Sequence, residues 1–407
     1  MSSSDIKLIE SGDVISDDIK MANIFNQYYT NIVEHTSGKA PHSLADTLPS
    51  LTPINTIINE IKLQFQHHPS ICSIRNNSLN ISSFRFKLVT IQEVESILKT
   101  LDTKKSIGID GIPPIILKLS ASVIAEPLTK IVNLSISENT FPSLAKCATI
   151  IPVYKKDERT DKTNYRPISI LSALSKVFER IFHSQITNYM ENILSQYVSA
   201  YRKNYSSQHV LIRLIEEWRQ NIDKGHVVGG VLMDLSKAFD CIPHDLLIAK
   251  LSAYGFNMNA LELIYSYLKG RRQSVKVNGA LGNSLTLLSG VPQGSILGPL
   301  LFNIYINDFY YLFQTATLHG FADDNSLSAK ADCIISLKHT LENQSNVAIE
   351  WLNLNEMIAN PSKFQLIFLS KEKGHLNSSI SIGGHQIKSK NSVELLGITI
   401  DDKLKFD

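Results

Sequence analysis

Four cysteines in 407 residues, Cys72, Cys147, Cys241 and Cys333, are too few and too scattered to build a disulfide framework. None belongs to a C-x-x-C pair, which argues against a structural zinc and fits a reducing compartment. Long apolar runs are missing too: no stretch approaches the roughly 18 residues of a membrane span. The N-terminal MSSSDIKLIE carries no signal-peptide pattern. These absences lead us to expect an intracellular protein, cytoplasmic or nuclear, neither secreted nor membrane-bound. A charge excess is also lacking, with 40 Lys and Arg against 38 Asp and Glu and a net charge of +2. Such a balance says little about nucleic acid, which goes with a basic patch rather than a mild global charge. Residues 101–230 hold 17 Lys and Arg against 12 Asp and Glu, a modest excess that a solvated surface explains equally well. The 12 histidines do not group at ligand spacing.

What is present is ordinary globular composition, 43% hydrophobic and 19% charged. The length suits roughly two to three domains, or one domain with a large appendage. Residues 1–95 read as a polar lead-in with some helix, including DDIKMANIFNQYYTNIVEH, and ICSIRNNSLNISSFRFKLVT within it reads as strand-like. From Ile91 the patterns tighten. TIQEVESILKTL has a threonine cap and helical spacing, and PPIILKLSASVIAEPLTKIVNLSI continues as one or two helices. CATIIPVYKK predicts a strand. ILSALSKVFERIFHSQITNYMENIL places Leu171, Leu174, Phe178, Phe182, Ile186 and Met190 near one face of a long helix. A serine-capped helix over SSQHVLIRLIEEWRQNI turns Leu211, Leu214, Trp218 and Ile222 inward. HVVGGVLMDL then reads as a buried strand ending in a carboxylate. Helices stopped by Gly255 and Gly270 follow, and next a strand pair, QSVKVNG with SLTLLSG. An apolar helix opened by Ser295, a hairpin around Asp323–Asp324, a helix near 334–354 and the strand KFQLIFLS complete the pattern. Antiparallel-type strands with helices between them predict an α+β core rather than a doubly wound sheet.

Four stretches carry chemistry. HGFADDNS sets Asp323 and Asp324 side by side between two strand-like runs, which by itself is what any hairpin turn shows. Asp234 ends a buried strand, an expensive place for a charge unless the side chain emerges at a site. If the hairpin lies beside that strand, three carboxylates face one cleft. Carboxylates that converge without a metal repel one another, so such a set implies Mg²⁺ or Mn²⁺, hard cations that prefer oxygen. SGVPQGSILGP puts glycines and prolines around Gln293, a loop that lets backbone come close to a nucleotide. VYKKDERTDKTNYRPIS gathers Lys155, Lys156, Arg159, Lys162 and Arg166, whose cationic groups suit a triphosphate. A charged loop binding nothing is an equally common reading of that stretch alone. His244 and Cys241 have no partner set and read as structural.

The ordered set KSIGIDGIPPIILK, IPVYKK…NYRPISIL, SAYRKNYSSQHVL, VLMDLSKAFDCIPHDLLIAKL, SGVPQGSILGPLLFNIYIND, FADD, NPSKFQLIFLS and ELLGITID resembles the reverse transcriptase of non-LTR (LINE-type, jockey-like) retrotransposons, over roughly residues 90–402. The resemblance implies a right-hand polymerase: a polar, partly helical arm or linker over 1–90, fingers-like residues 91–225 and palm-like residues 226–407. The reverse transcriptase domain would cover about 130–402. It implies RNA-directed DNA polymerisation with an RNA template, a DNA primer, dNTPs and two Mg²⁺ ions, or Mn²⁺ in their place. Asp234, Asp323 and Asp324 match the metal-binding triad, Asp234 and Asp323 as the first choice of direct ligands, with the carbonyl of Leu235 a further one. Phe239 matches the aromatic gate under the sugar, although an aromatic at a helix start is also common core packing. Gln293 and Gly294 match the loop beside the incoming nucleotide. Lys155 and Arg166 match the finger residues that grip its triphosphate, and Lys156 adjoins the first of them. Arg202 lies in the nucleic-acid-binding box, here Ala200-Tyr201-Arg202 where Gly-Phe-Arg is usual. Lys363 matches the lysine that protonates pyrophosphate; its bland alternative is an exposed charge before a strand.

The lead-in is too short for the endonuclease domain of full elements, and DDKLKFD stops where a thumb is expected to begin, so the sequence reads as a truncated element copy or a partial gene model derived from one. Two classes of function therefore stand. One is a two-metal polymerase; the other is an inactive remnant that at most binds nucleic acid. A group II intron-type reverse transcriptase is disfavoured by the form of the NYRPISIL and SAYRKNYSSQ boxes.

Overall fold

Helices form where apolar residues recur at helical spacing, and identifiable caps set their ends, in the computed structural model, which describes residues 6–38, 43–77, 82–370 and 378–405. Helix α1 (Asp18–Thr30) opens on Asp17, whose carboxylate accepts a hydrogen bond from the Lys20 amide at 2.6 Å. Helix α2 (Ile91–Lys99) starts on a capping box in which Thr90 and Glu93 satisfy each other's backbone amides. The following apolar stretch is two helices, Pro114–Leu119 and α3 (Ala121–Ser137), meeting at Ser120.

Strands β1 (Cys147–Tyr154) and β2 (Tyr165–Leu171) precede α4 (Ala173–Met190). Leu171 closes β2 instead of joining the helix, because Ser172 caps α4 by accepting from the Ser175 amide at 3.0 Å. Helix α5 (Ser207–Asp223) buries Leu211, Leu214 and Trp218. Ser206 stands at its cap position, but its hydroxyl bonds the His209 ring rather than a helix amide. Next come β3 (Val227–Ser236), α6 (His244–Ala253), α7 (Met258–Leu268), β4 (Arg272–Val277) and α8 (Leu297–Ile306). The hairpin of β5 (Ala316–Phe321) and β6 (Asp324–Ala331) leads into α9 (Ile334–Leu354), then β7 (Ile358–Ala359) and β8 (Gln365–Leu369). A hairpin turning at Gly383-Gly384 follows.

The strand-like expectation for ICSIRNNSLNISSFRFKLVT is corrected. Pro69–Asn77 is a helix burying Ile71 and Ile74, so those isoleucines obey the i, i+3 spacing of a helix face rather than strand alternation. Residues 78–81 lie outside the described residues, and Phe84 makes only an isolated bridge with Phe256.

The chain divides into two compact units, residues 1–191 with 239–302, and residues 192–238 with 303–407. Their bounds interleave along the sequence. In the first unit the sheet order is β2-β1-β4, with β1 and β2 antiparallel and β1 and β4 parallel. Met21, Phe25 and Tyr29 of α1 share a core with Ile150, Tyr165, Leu171 and Val275 of those strands. Part of the polar lead-in is thus core material, because α1 gathers its apolar residues on one face.

In the second unit β3 is the central strand. It pairs antiparallel with β6, which pairs with β5, and it also pairs with β7 and β8. The run Val227-Val228-Gly229-Gly230-Val231 is apolar throughout because helices cover both faces. A Cβ on Gly229 would come within 2.6 Å of Leu341 in α9, and one on Gly230 within 2.7 Å of Trp218 in α5. Two adjacent glycines let two helices press on opposite faces of one strand. Trp218 Nε1 donates to Ser328 Oγ at 2.8 Å, tying α5 to β6.

Candidate active site

In the second unit, β5 ends at Phe321 and β6 begins at Asp324, leaving Ala322 and Asp323 as a two-residue turn. Tight hairpins of this length need positive φ at a central position, and Ala322 has φ of 57°. The backbone there costs on the order of 1 kcal/mol for a residue with a Cβ. The pairing continues outward, so Asp324 stands directly across from Asp234. Residues directly opposite in an antiparallel pair point to the same face, with Cβ atoms roughly 5 Å apart. The register therefore brings two carboxylates together, with the third at the adjacent turn. Asp234 and Asp323 are half-buried and Asp324 is exposed.

The hairpin is anchored beneath this edge. Buried Asn325 donates to the Asp323 carbonyl at 3.2 Å and accepts from the Tyr310 hydroxyl at 3.3 Å. Gly320 exchanges backbone bonds with the 197–199 loop, its amide donating to Tyr197 and its carbonyl accepting from Ser199. Arg202 braces that loop: Nη1 donates to the Ser195 and Val198 carbonyls at 2.9 and 3.0 Å, and the guanidinium lies over the Tyr205 ring. Sequence reading offers Arg202 to nucleic acid, whereas these bonds turn its Nη1 onto its own loop.

On β3, Leu235 is buried and pairs with Ala359, and Gln365 pairs with Leu232. Between those pairings, residues 360–364 stand against only Met233 and Asp234. The short helical turn Pro361–Lys363 therefore bulges beside the end of β3 that carries Asp234, with Lys363 exposed. Among the described residues, no three His, Cys, Asp or Glu side chains form a ready-made metal cage.

In the first unit, the loop around Gln293 is pinned from several directions. The Ser169 amide in β2 donates to the Gln293 carbonyl at 2.7 Å. Gly294 has φ of 116°, and a Cβ there would meet the Ser169 carbonyl oxygen at 2.6 Å, so only glycine fits. Gln293 Nε2 donates to both carboxylate oxygens of Asp240, at 2.9 and 2.7 Å. Phe239 stacks on Phe302 with ring centroids 4.6 Å apart. A cleft of about 30 Å³ beside these groups is lined by Tyr29, Thr30, Ser169, Asp240, Ser289 and Gln293. The buried Tyr29 hydroxyl has no hydrogen-bond partner among the described residues.

Two buried groups hold this loop from behind. Glu179 accepts from the Tyr267 hydroxyl and from the Ile296 amide, each at 2.8 Å, and burial pushes its carboxyl pKa up. His244 Nε2 lies 2.7 Å from the Gly290 carbonyl, which only accepts, so the ring donates from that nitrogen. Burial drives the His244 pKa down to about 4, so the ring is neutral near pH 7.

Of the five cations around the β1–β2 hairpin, two are engaged. Lys162 pairs with Glu10 at 2.7 Å, and Arg159 lies 4.7 Å from the Tyr154 ring. Lys155, Lys156 and Arg166 are exposed, Arg166 across from Val153 on the open face of the hairpin. Sequence reasoning missed Asp240 and Glu179. A signal existed for Glu179: it shares a helical stripe with buried Ser175, Phe182 and Ile186, where an unpaired carboxylate is costly. Asp240 sits in AFDCIP, an acid in apolar surroundings that spacing alone does not link to Gln293.

Residues 153–400 match the family model described as "Reverse transcriptase (RNA-dependent DNA polymerase)". The chain is 30% identical over 342 residues to "Probable RNA-directed DNA polymerase from transposon BS" of Drosophila melanogaster, an alignment covering 80% of this chain and 37% of that protein. It is 27% identical over 322 residues to "Probable RNA-directed DNA polymerase from transposon X-element" of the same species, covering 77% and 35%. With "RNA-directed DNA polymerase from mobile element jockey", also from that species, identity is 25% over 334 residues, covering 80% and 36%. The chain thus spans little more than a third of the length of these curated relatives.

Proposed function

The chain belongs to the reverse transcriptase family, and from that premise we propose that it is an RNA-directed DNA polymerase of a non-LTR retrotransposon, joining dNTPs to the 3′-hydroxyl of a DNA primer on an RNA template. One observation carries this reading: the register that sets Asp324 opposite Asp234, with Asp323 at the adjoining turn. Like charges directly opposite in a sheet are destabilising, so an ordinary turn gains nothing from the arrangement. We read residues 91–225, with the β1–β2 hairpin, as fingers-like and residues 226–407, with β3 and β6, as palm-like.

The donor set fits divalent cations, since it offers only hard oxygen ligands and its mutual repulsion is relieved by positive charge. Mg²⁺ is commonly held by one or two carboxylates plus substrate phosphates, which agrees with a set that is not a closed cage. Asp234 and Asp323, with Asp324, would hold two such ions, the Leu235 carbonyl adding a ligand and Mn²⁺ serving in place of Mg²⁺. When bound, the ions would favour the deprotonated primer hydroxyl and offset charge on the leaving pyrophosphate. Lys155 and Arg166 hold the triphosphate through charge-assisted hydrogen bonds. Phe239, backed by Phe302, forms a flat wall under the sugar, where a 2′-hydroxyl meets the ring. Gln293 and Gly294 bring a polar group and bare backbone to the nucleotide. Lys363 supplies a proton from Nζ to pyrophosphate, and Arg202 serves the nucleic acid through the loop it braces.

The test uses the purified chain, Mg²⁺ and a labelled DNA primer on an RNA template. Extension is expected, and Asp323→Asn with Asp324→Asn should abolish it; extension surviving both changes would defeat the site assignment. Binding of primer–template by the unmodified chain without extension would instead establish the non-catalytic reading.

A further inference from the structure

Gln293 carries the one side-chain amide of the SGVPQGSILGP loop, and what faces that amide decides what it can offer a ligand. An ionised carboxylate only accepts hydrogen bonds, so the Asp240 contacts identify the near atom as Nε2 and turn Oε1 away. Asp240 is itself held in place. The Val291 amide donates to the Phe239 carbonyl and the Gly290 amide to the Ile242 carbonyl, both at 2.9 Å. Ser289 Oγ donates to the Asp240 carbonyl at 3.2 Å. These bonds flank Asp240 on both sides in the chain and fix its distance from Gln293. An amide without that partner would rotate, presenting donor and acceptor in turn.

We propose that Asp240 is a positioning residue, clamping the Gln293 amide so that the loop presents Oε1, an acceptor, to a hydrogen-bond donor on the bound nucleotide. The inference rests on the reading of this loop as nucleotide-binding. It assigns Asp240 no contact with the nucleotide; its effect passes through Gln293. Asp240→Asn retains one carbonyl acceptor for Nε2, whereas Asp240→Ala retains none.

The test combines kinetics with a spectroscopic readout that needs no turnover. In primer extension, Gln293→Ala and Asp240→Ala should each raise KM for dNTP about tenfold, the upper end of what one net hydrogen bond is worth, with kcat little changed. The double variant should be no worse than either single one, and Asp240→Asn should recover much of the loss. In the chain labelled with ¹⁵N-glutamine, the Gln293 side-chain NH₂ signal, identified by its absence in Gln293→Ala, should move in Asp240→Ala and move less in Asp240→Asn. Losses that multiply to about a hundredfold in the double variant would overturn the clamp. A Gln293 signal indifferent to Asp240→Ala would overturn it as well. If the unmodified chain extends no primer, the polymerase reading fails separately, and the NH₂ signal still decides whether Asp240 holds Gln293.

Discussion

The two five-stranded sheets of this chain solve the covering of a face in opposite ways. In the second unit, β3 is enclosed on both faces by α5 and α9, so closely that Gly229 and Gly230 have no room for a Cβ. In the first, the β1–β2 hairpin packs one face into the core shared with α1 and leaves Val153 and Ile168 46% and 38% exposed on the other. The difference matches what each surface carries. Under the proposed function, carboxylates that share a cation need fixed spacing, and a strand gripped from both sides gives it. Cations proposed to reach for a flexible triphosphate need freedom, and Arg166 stands on the open face. The proposed chemistry divides the same way, with geometry in one sheet and reach in the other.

The sharpest way to break that contrast is at the carboxylates. Asp234→Asn should reduce primer extension about a thousandfold with the fold intact by circular dichroism, as expected for removal of charge stabilisation. Acidification should act first on the other unit. The folded pKa of His244 is about 4, below its ordinary value near 6.5, so its contribution to stability is whole above pH 6.5 and is lost as pH falls toward 4. The loss approaches about 3 kcal/mol, visible in hydrogen exchange as early opening of the 289–294 loop. His244→Gln, which keeps a donor for the Gly290 carbonyl, should remove that acid-sensitive step.

Smaller effects compare the sheets directly. Gly230→Ala should cost about 2 kcal/mol in urea unfolding, because the Trp218 ring it meets is buried and tied to Ser328. Ile168→Thr on the open face should stay within about 0.5 kcal/mol. A similar cost at both positions would deny that the sheets differ in enclosure. Arg166→Ala should raise KM for dNTP about tenfold while leaving thermal stability unchanged, since the side chain is exposed.

Much of the local structure was legible because the forces that set it act within a few residues. The threonine cap at Thr90 and the helical spacing of Leu211, Leu214 and Trp218 are each written in short stretches of chain. The same short range misled at Ile71 and Ile74, where β-branched residues suggested a strand and helical spacing won. Candidate site residues were legible as types: adjacent aspartates in a turn, a glutamine between glycine and proline, a cluster of cations. Their engagements were not. Lys162 belongs to Glu10, which is remote in sequence, and Arg202 belongs to its own loop. Asp240 gave no sign of its tie to Gln293, since 53 residues separate them.

The sequence by itself determined which residues bring charge, which segments coil or extend, and that Asp323 and Asp324 sit at a hairpin between two strands. Tertiary structure alone decided that Asp324 faces Asp234 across the β3–β6 ladder. The reason is the two-residue period of a strand: a slip of one residue would turn the same aspartate to the opposite face. That register is fixed by helices closing on both sides of β3, through contacts such as Trp218 with Gly230 and Leu341 with Gly229, which no local pattern encodes.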